Sequence, residues 1–248
     1  MIALAARGIG AVLLDIEGTT TPIAFVHDVL FPYARARLPA FVERELATPA
    51  VADAAARLAF EHAEDAARGE EPPAWRDDPP AARAASVASY CAWLMDRDRK
   101  STGLKRLQGY IWEAGYQAGE LRGQVFPDVA PAIRRWRDAG LQAAIYSSGS
   151  ELAQRRLFES TPAGDLTPLL SAFFDTTVGS KLAPESYARI AARLGFAPAA
   201  VLFVSDVTRE LHAARAAGLA VVLARRPGNA PQADATAFDQ LTSFDDLV

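Results

Sequence analysis

Six side chains carry the chemistry this sequence offers: Asp15, Glu17, Ser147, Ser148, Lys181 and Asp206. Asp15 and Glu17 stand one residue apart, directly after the apolar run Ala11 to Leu14, and are followed by Gly18 and three threonines. On extended backbone, side chains at i and i+2 point the same way, so both carboxylates can face one small site. Two like charges that close repel and raise a pKa unless a cation lies between them. An all-oxygen donor set selects a hard divalent ion, and the loop predicts Mg²⁺. A second apolar run, Val201 to Val204, delivers Asp206, and a third, Leu141 to Tyr146, ends at Ser147 and Ser148. A hydroxyl there, just before a helix beginning at Glu151, makes an anion seat where free N–H groups and the helix dipole converge. A plain helix N-cap is an equally ordinary use of that serine.

These side chains meet only if one scaffold brings several strand ends to a common edge. The unbroken run 11–14 reads as a strand buried on both faces, the habit of a parallel sheet, and such sheets hold ligands at the C-terminal edge. From Val125 the text alternates strand and helix, which marks a doubly wound α/β domain. Helices are predicted over 131–139, ended by Gly140, over 151–158, and over 208–217, closed by Gly218. Strands are predicted over 141–146, 172–176, 201–205 and 220–224. Residues 23–122 contain no buried strand: Phe25, Val26, Val29, Leu30 and Tyr33 through Leu46 recur at helical spacing. Glu70-Glu71-Pro72-Pro73 and Asp77-Asp78-Pro79-Pro80 interrupt that text, because proline cannot continue a helix. Further helices are predicted over 81–96 and 103–119. The resulting organisation is an α/β core, 1–22 and 123–248, with an all-helical cap, 23–122, inserted after the first strand.

Composition sets bounds on what such a protein does. A chain of 248 residues can bury a sizeable core. Half of it is hydrophobic and 23% is charged, ordinary for a soluble globular protein. A formal charge of −4 gives no support to a nucleic-acid partner. The single cysteine, Cys91, excludes an internal disulfide and fits a reducing compartment. No apolar run approaches the length of a membrane span and the N-terminus lacks a signal-peptide pattern, so the expectation is a cytoplasmic protein with no membrane partner.

Asp15-Ile16-Glu17-Gly18-Thr19 after a buried strand resembles the first motif of the haloacid dehalogenase-like hydrolases, whose usual form is Asp-x-Asp-Gly-Thr. The longer string Leu13 to Ile23 resembles one branch of that family, the enolase-phosphatases of methionine salvage, with which the glutamate at position 17 agrees. Three later stretches fall in the order the family requires. Ser147 matches its second motif, an apolar strand ending in Ser or Thr. Gly179-Ser180-Lys181-Leu182-Ala183-Pro184 is similar to its third, and Asp206 matches its metal-holding acid. Leu104 to Tyr116 and the loop Arg225-Arg226-Pro227-Gly228-Asn229-Ala230 also resemble the enolase-phosphatases. Without the family, Lys181 reads as an exposed lysine at a helix start. The loop arginines read as solvated, His27 and His62 as surface or capping residues, and Tyr110, Trp112 and Tyr116 as core packing. Glu210 sits where some members carry a second acid, and equally reads as a first-turn glutamate favoured by the helix dipole. His212 has no evident chemical company.

The resemblance implies a five-stranded parallel sheet ordered 5-4-1-2-3, which sets the Asp15 and Asp206 strands side by side. It implies Asp15 as nucleophile and Mg²⁺ on Asp15, Asp206 and the Glu17 carbonyl. Ser147, Ser148 and Lys181 would bind phosphoryl oxygens, and Glu17 would serve as general acid and base. The substrate implied is a small phosphorylated diketone, 2,3-diketo-5-methylthiopentyl-1-phosphate, acted on by a monomer whose cap excludes water and grips the methylthio tail. A sugar-phosphate phosphatase would share every catalytic residue and differ in the cap. A haloacid dehalogenase would keep the aspartate and need no metal. A non-enzymatic phosphate-binding module fits worst, since its first loop should offer glycine N–H groups where this one offers two acids.

Overall fold

Four consecutive residues with no accessible surface, Ala11–Leu14, form the first strand, β1, at the centre of a parallel sheet. The computed structural model describes residues 1–248. After β1 and a tight loop come a single helical turn, α1 (Ile23–Phe25), a π-helical turn over Val26–Leu30, and then α2 (Phe31–Glu45). Helices α3 (Pro49–Ala67), α4 (Pro80–Asp96) and α5 (Thr102–Gln117) follow. The proline-rich stretch falls between α3 and α4, and α4 takes Pro80 in its first turn, where the missing N–H is not needed. Alternation then begins: α6 (Val129–Asp138), β2 (Gln142–Tyr146), α7 (Glu151–Glu159), β3 (Ala172–Phe174), α8 (Pro184–Leu194) and β4 (Val201–Ser205). Helix α9 (Thr208–Ala216), β5 (Ala220–Ala224) and β6 (Gln240–Leu241) complete it.

The sheet has six strands in the order β3-β2-β1-β4-β5-β6, all parallel. Five of them take the expected order; the sixth corrects the five-strand expectation. Strand β6 is two residues long, pairing Gln240 and Leu241 with Leu223 and Ala224 at the edge beside β5. So short an element carries no period for a sequence pattern to register.

The chain divides into two units, Met1–Val26 with Gly119–Val248, and His27–Ala118. In the first, Leu13, Ala144, Tyr146, Tyr187, Phe203 and Leu211 belong to one buried cluster between the sheet and its helices. Helix α6 buries Val129, Ala130, Ala132, Ile133 and Trp136, spacing that lays one apolar stripe on the sheet. The second unit is helical throughout and has its own core, including Leu38, Val42, Leu58, Val87, Leu94 and Leu107. Its one buried acid, Asp65, accepts from Tyr90 Oη at 2.6 Å and Arg99 Nη2 at 2.7 Å, and also from Arg68. A charge that deep is tolerable only with such partners. No helix is long and apolar enough to cross a membrane.

Phe203 is fully buried in β4, its ring centroid 5.0 Å from that of Tyr187. Phe203→Ala is expected to cost about 3–5 kcal/mol by leaving a cavity in a region that cannot collapse. Denaturant titration checks this: the midpoint should fall while the slope stays near that of the wild type.

Candidate active site

The pairing of β1 with β4 sets Leu14 opposite Val204, and Asp15 N–H donates to the Val204 carbonyl at 3.0 Å. Both chains leave the sheet at the same C-terminal edge, one as Asp15 and the other as Ser205-Asp206, all buried. Lys181 comes to them from the loop before α8. Its Nζ lies 2.7 Å from Asp15 Oδ1 and 2.6 Å from Glu210 Oε2, on the first turn of α9. Asp15 Oδ1 also accepts the Ile16 N–H at 2.7 Å, and Ser205 Oγ donates to Glu210 Oε2 at 2.9 Å. Lys181 is only 8% exposed, which removes the reading of a solvated lysine. Tyr187 Oη donates to the Lys181 carbonyl at 2.7 Å, and Tyr146 Oη to that of Gly179 at 3.0 Å, so two buried tyrosines hold the loop that carries the ammonium.

Charge does not balance here. Asp15, Asp206 and Glu210 face one ammonium, leaving two formal negative charges in a site of low solvent access. Burial opposes the Lys181 charge, but attraction to Asp15 and Glu210 outweighs it and raises the ammonium above its usual range. Burial raises the Asp206 carboxyl to about 7, with repulsion from Asp15 and Glu210 adding to it and Lys181 opposing. Glu210 moves up as well, through burial and then the Asp15 charge, in spite of its ion pair. One lysine cannot satisfy three acids. Glu210 is thus a member of the site as well as a first-turn glutamate, and Lys181 is what it holds.

Ser147 lies on the neighbouring strand end. Pairing of Leu14 with Ile145 brings the end of β2 alongside Asp15, and Ser147 N–H donates to the Phe174 carbonyl of β3 at 3.1 Å. Ser147 does not cap α7; Ser150 does, accepting the Ala153 N–H at 3.3 Å. The Ser147 hydroxyl instead accepts the Gly149 N–H at 3.2 Å, and Ser148 is exposed beside it. Gln154, 2% exposed, clamps this turn from α7 by donating to the carbonyls of Gly149 and Phe174 at 2.9 and 2.8 Å. Sequence reading missed Gln154, whose only signal is a polar residue on the apolar face of a short helix.

Glu17 departs from the extended geometry expected of it. The strand stops at Leu14 and the chain turns sharply, with the N–H groups of Thr19, Thr20 and Thr21 all directed at the Ile16 carbonyl within 3.2 Å. Asp15 is therefore buried while Glu17 is exposed, and the i, i+2 argument does not apply. Gly18 closes the turn with φ +65°, and a Cβ there would stand 2.3 Å from Asp206 Oδ2. Glycine is needed at this point because the carboxylate of the adjacent strand comes so near. His212, expected to be without chemical neighbours, has them: Nε2 lies 2.5 Å from Asp234 Oδ2 and Nδ1 lies 3.0 Å from Arg215 Nη2, all exposed.

Acid, hydroxyl, lysine and second acid thus meet at one sheet edge, with Asp15 between Ser147 and Asp206. Residues 9–218 match the family described as haloacid dehalogenase-like hydrolase. This chain belongs to the haloacid dehalogenase-like hydrolases. Among proteins similar to this hydrolase is enolase-phosphatase E1 of Synechococcus elongatus, 51% identical over 239 residues, covering 96% of this chain and 98% of that one. Enolase-phosphatase E1 of Drosophila mojavensis is 49% identical over 220 residues, 89% of this chain and 86% of its own. The crystal structure of UTR4 from Saccharomyces cerevisiae superposes with a TM-score of 0.73 at 33% identity, covering 96% of this hydrolase and 99% of that chain.

The charge surplus has a measurable consequence. A carboxyl raised from about 3.8 to about 7 binds its proton more tightly in the folded hydrolase than in the unfolded chain. Its contribution to stability is complete below the unfolded value and is lost as pH rises through about 7. Metal-free protein should therefore lose stability, on the order of 1 kcal/mol, between about pH 6 and pH 8 as Asp206 ionises. Asp206→Asn is expected to flatten that loss, as read from denaturant titrations at the two pH values.

Proposed function

We propose that this chain is an enolase-phosphatase of methionine salvage, converting 2,3-diketo-5-methylthiopentyl-1-phosphate to 1,2-dihydroxy-3-keto-5-methylthiopentene and phosphate. The observation that carries the reading is a buried carboxylate, Asp15, held at 2.7 Å by Lys181 and flanked by Asp206 on the adjacent strand. In support stand two enolase-phosphatases at about half identity over most of the chain.

Unaided phosphomonoester hydrolysis is among the slowest of biological reactions, so covalent catalysis and charge neutralisation both have to contribute. The Asp15 Oδ2 oxygen is the one not taken by Lys181 and the Ile16 N–H, and it attacks phosphorus in line. The P–O bond to the substrate breaks as the Asp15–phosphorus bond forms, giving an aspartyl-phosphate. Glu17, exposed two residues after Asp15, is assigned to protonate the departing oxygen and then to take the proton of a water that hydrolyses the intermediate. Phosphate leaves and the Asp15 carboxylate is restored. Ser147, Ser148 and Lys181 bind the phosphoryl oxygens that do not react, the lysine by charge and the serines by hydroxyl. Enolisation needs a base for a carbon-bound proton beside a carbonyl, and Glu17 is assigned that step too.

The donors present fit Mg²⁺. No group of three or more His, Cys, Asp or Glu side chains is arranged to hold a metal. Mg²⁺, however, is commonly held by one or two carboxylates together with waters and substrate phosphate. Two formal negative charges remain at the rim, and Asp206 carries an upward shift of the kind a cation would relieve. Asp15, Asp206 and the Glu17 carbonyl would hold the ion, which when bound neutralises charge on the transferring phosphoryl group. The reading takes the protein as a cytoplasmic monomer whose partner is this small phosphate ester.

Incubation with the diketo phosphate and Mg²⁺ should release phosphate together with the enol product, identified by mass spectrometry. Asp15→Asn is expected to lower kcat by more than about a thousandfold, and EDTA to abolish turnover. Monoester cleavage without the enol product would point to a sugar-phosphate phosphatase. Turnover that survives EDTA would overturn the metal assignment.

A further inference from the structure

The loop after β5, whose arginines read as solvated in the sequence, supplies two side chains to the turn that follows β1. Arg226 is only 6% exposed. Its Nη1 pairs with Asp128 Oδ2 at 2.8 Å and donates to the Thr242 carbonyl at 2.8 Å, while its Nε donates to the Thr19 carbonyl at 3.1 Å. The guanidinium lies 4.7 and 4.5 Å from the ring centroids of Phe126 and Phe244. Asp128 is fixed in turn, accepting from Phe244 N–H at 2.5 Å and Ser243 Oγ at 3.2 Å. Three residues further on, Asn229 Nδ2 donates to the Gly18 carbonyl at 2.9 Å and to the Ala224 carbonyl at 3.2 Å.

These contacts converge on consecutive carbonyls, those of Gly18 and Thr19, in the turn whose first residue is Asp15. Neither carbonyl is held by strand pairing, since β1 stops at Leu14. The amide of Asn229 also has an unspent half. Its Oδ1 is buried without a partner and stands 2.9 Å from the point a Cβ on Gly18 would occupy, where Asp206 Oδ2 stands at 2.3 Å. Asn229 therefore grips the nucleophile turn with its nitrogen and presents a free acceptor next to the second acid.

We propose that Asn229, with Arg226 behind it, is a positioning residue of the active site: it holds the Gly18 carbonyl and so fixes the turn that sets Asp15 against Asp206. The inference rests on the proposed reading of Asp15 as nucleophile and Asp206 as metal ligand. It assigns to the loop at 225–230 the work of keeping those two carboxylates in register, with no contact of its own to the reacting phosphorus. Arginine suits the rear position because one planar fork must satisfy two carbonyls and a carboxylate at once, which a lysine ammonium on a flexible stem does poorly.

The test compares Asn229→Ala, Asn229→Asp and Arg226→Lys with the wild type. Asn229→Asp keeps the volume but sets an oxygen against the Gly18 carbonyl. Measured on each are kcat and KM for the diketo phosphate, Mg²⁺ affinity by calorimetry on metal-free protein, and amide exchange over residues 16–21. The expected result is a kcat lower by about 10-fold to 100-fold, a Mg²⁺ Kd raised by a similar factor, and KM within about threefold, as supporting groups around metal sites behave. Amide exchange in the turn should speed up while exchange in β4 does not. Should all three variants melt lower yet keep wild-type kcat, Mg²⁺ affinity and turn exchange, the residues are structural only and the proposal is overturned. If the wild type itself binds no Mg²⁺ and releases no phosphate, the functional reading falls and takes the inference with it. An active wild type beside unchanged variants sinks the inference alone.

Discussion

The structure depends on a shortage of positive charge. Three carboxylates gather where β1 and β4 leave the sheet, and one buried lysine, 2.7 Å from Asp15 and 2.6 Å from Glu210, is all that faces them. Such an arrangement costs desolvation and returns only part of it through ion pairing. It persists because the surrounding fold leaves the charges no alternative. Both strands are buried over their full length and each delivers its acid at the same edge. A protein selected for stability alone would have no reason to retain that excess, which is why the site reads as functional.

Each loop around the excess is held by a side chain from elsewhere in the α/β unit. Gln154 pins the turn at Ser147, Tyr146 and Tyr187 pin the approach to Lys181, and Asn229 and Arg226 pin the turn after Asp15. Each of these side chains holds at least one backbone carbonyl beyond the end of a strand, those of Gly149, Gly179, Lys181, Gly18 and Thr19. The sheet thus fixes where the chain enters the site, and polar side chains fix what it does after it leaves the ladder. Precision at a phosphoryl-transfer site requires both, since small displacements of the nucleophile are costly.

Much of this was legible in sequence. The four strands that bear Asp15, Ser147, the approach to Lys181, and Asp206 announce themselves as apolar runs ending in a polar residue, and the helical insertion as text without any such run. What escaped did so for identifiable reasons. Strand β6 is two residues long and carries no period. Glu17 was placed by the geometry of extended chain, whereas three N–H groups converging on the Ile16 carbonyl turn the backbone first. Arg226 was read as solvated because its partners, Asp128 and Thr19, lie 98 and 207 residues away along the chain, a distance no local pattern spans. Ser147 could be told from a helix cap only once Ser150 was seen to fill that role.

The helical unit holds one further consequence. Cys91, the only thiol in the chain, has no accessible surface, and its packing within α4 drives its ionisation far above the ordinary range. Sulfur so enclosed is inert until the helices around it part. Nature has in effect left a solitary clock inside residues 27–118: the pace at which a maleimide or disulfide reagent captures that atom counts the openings that part this bundle.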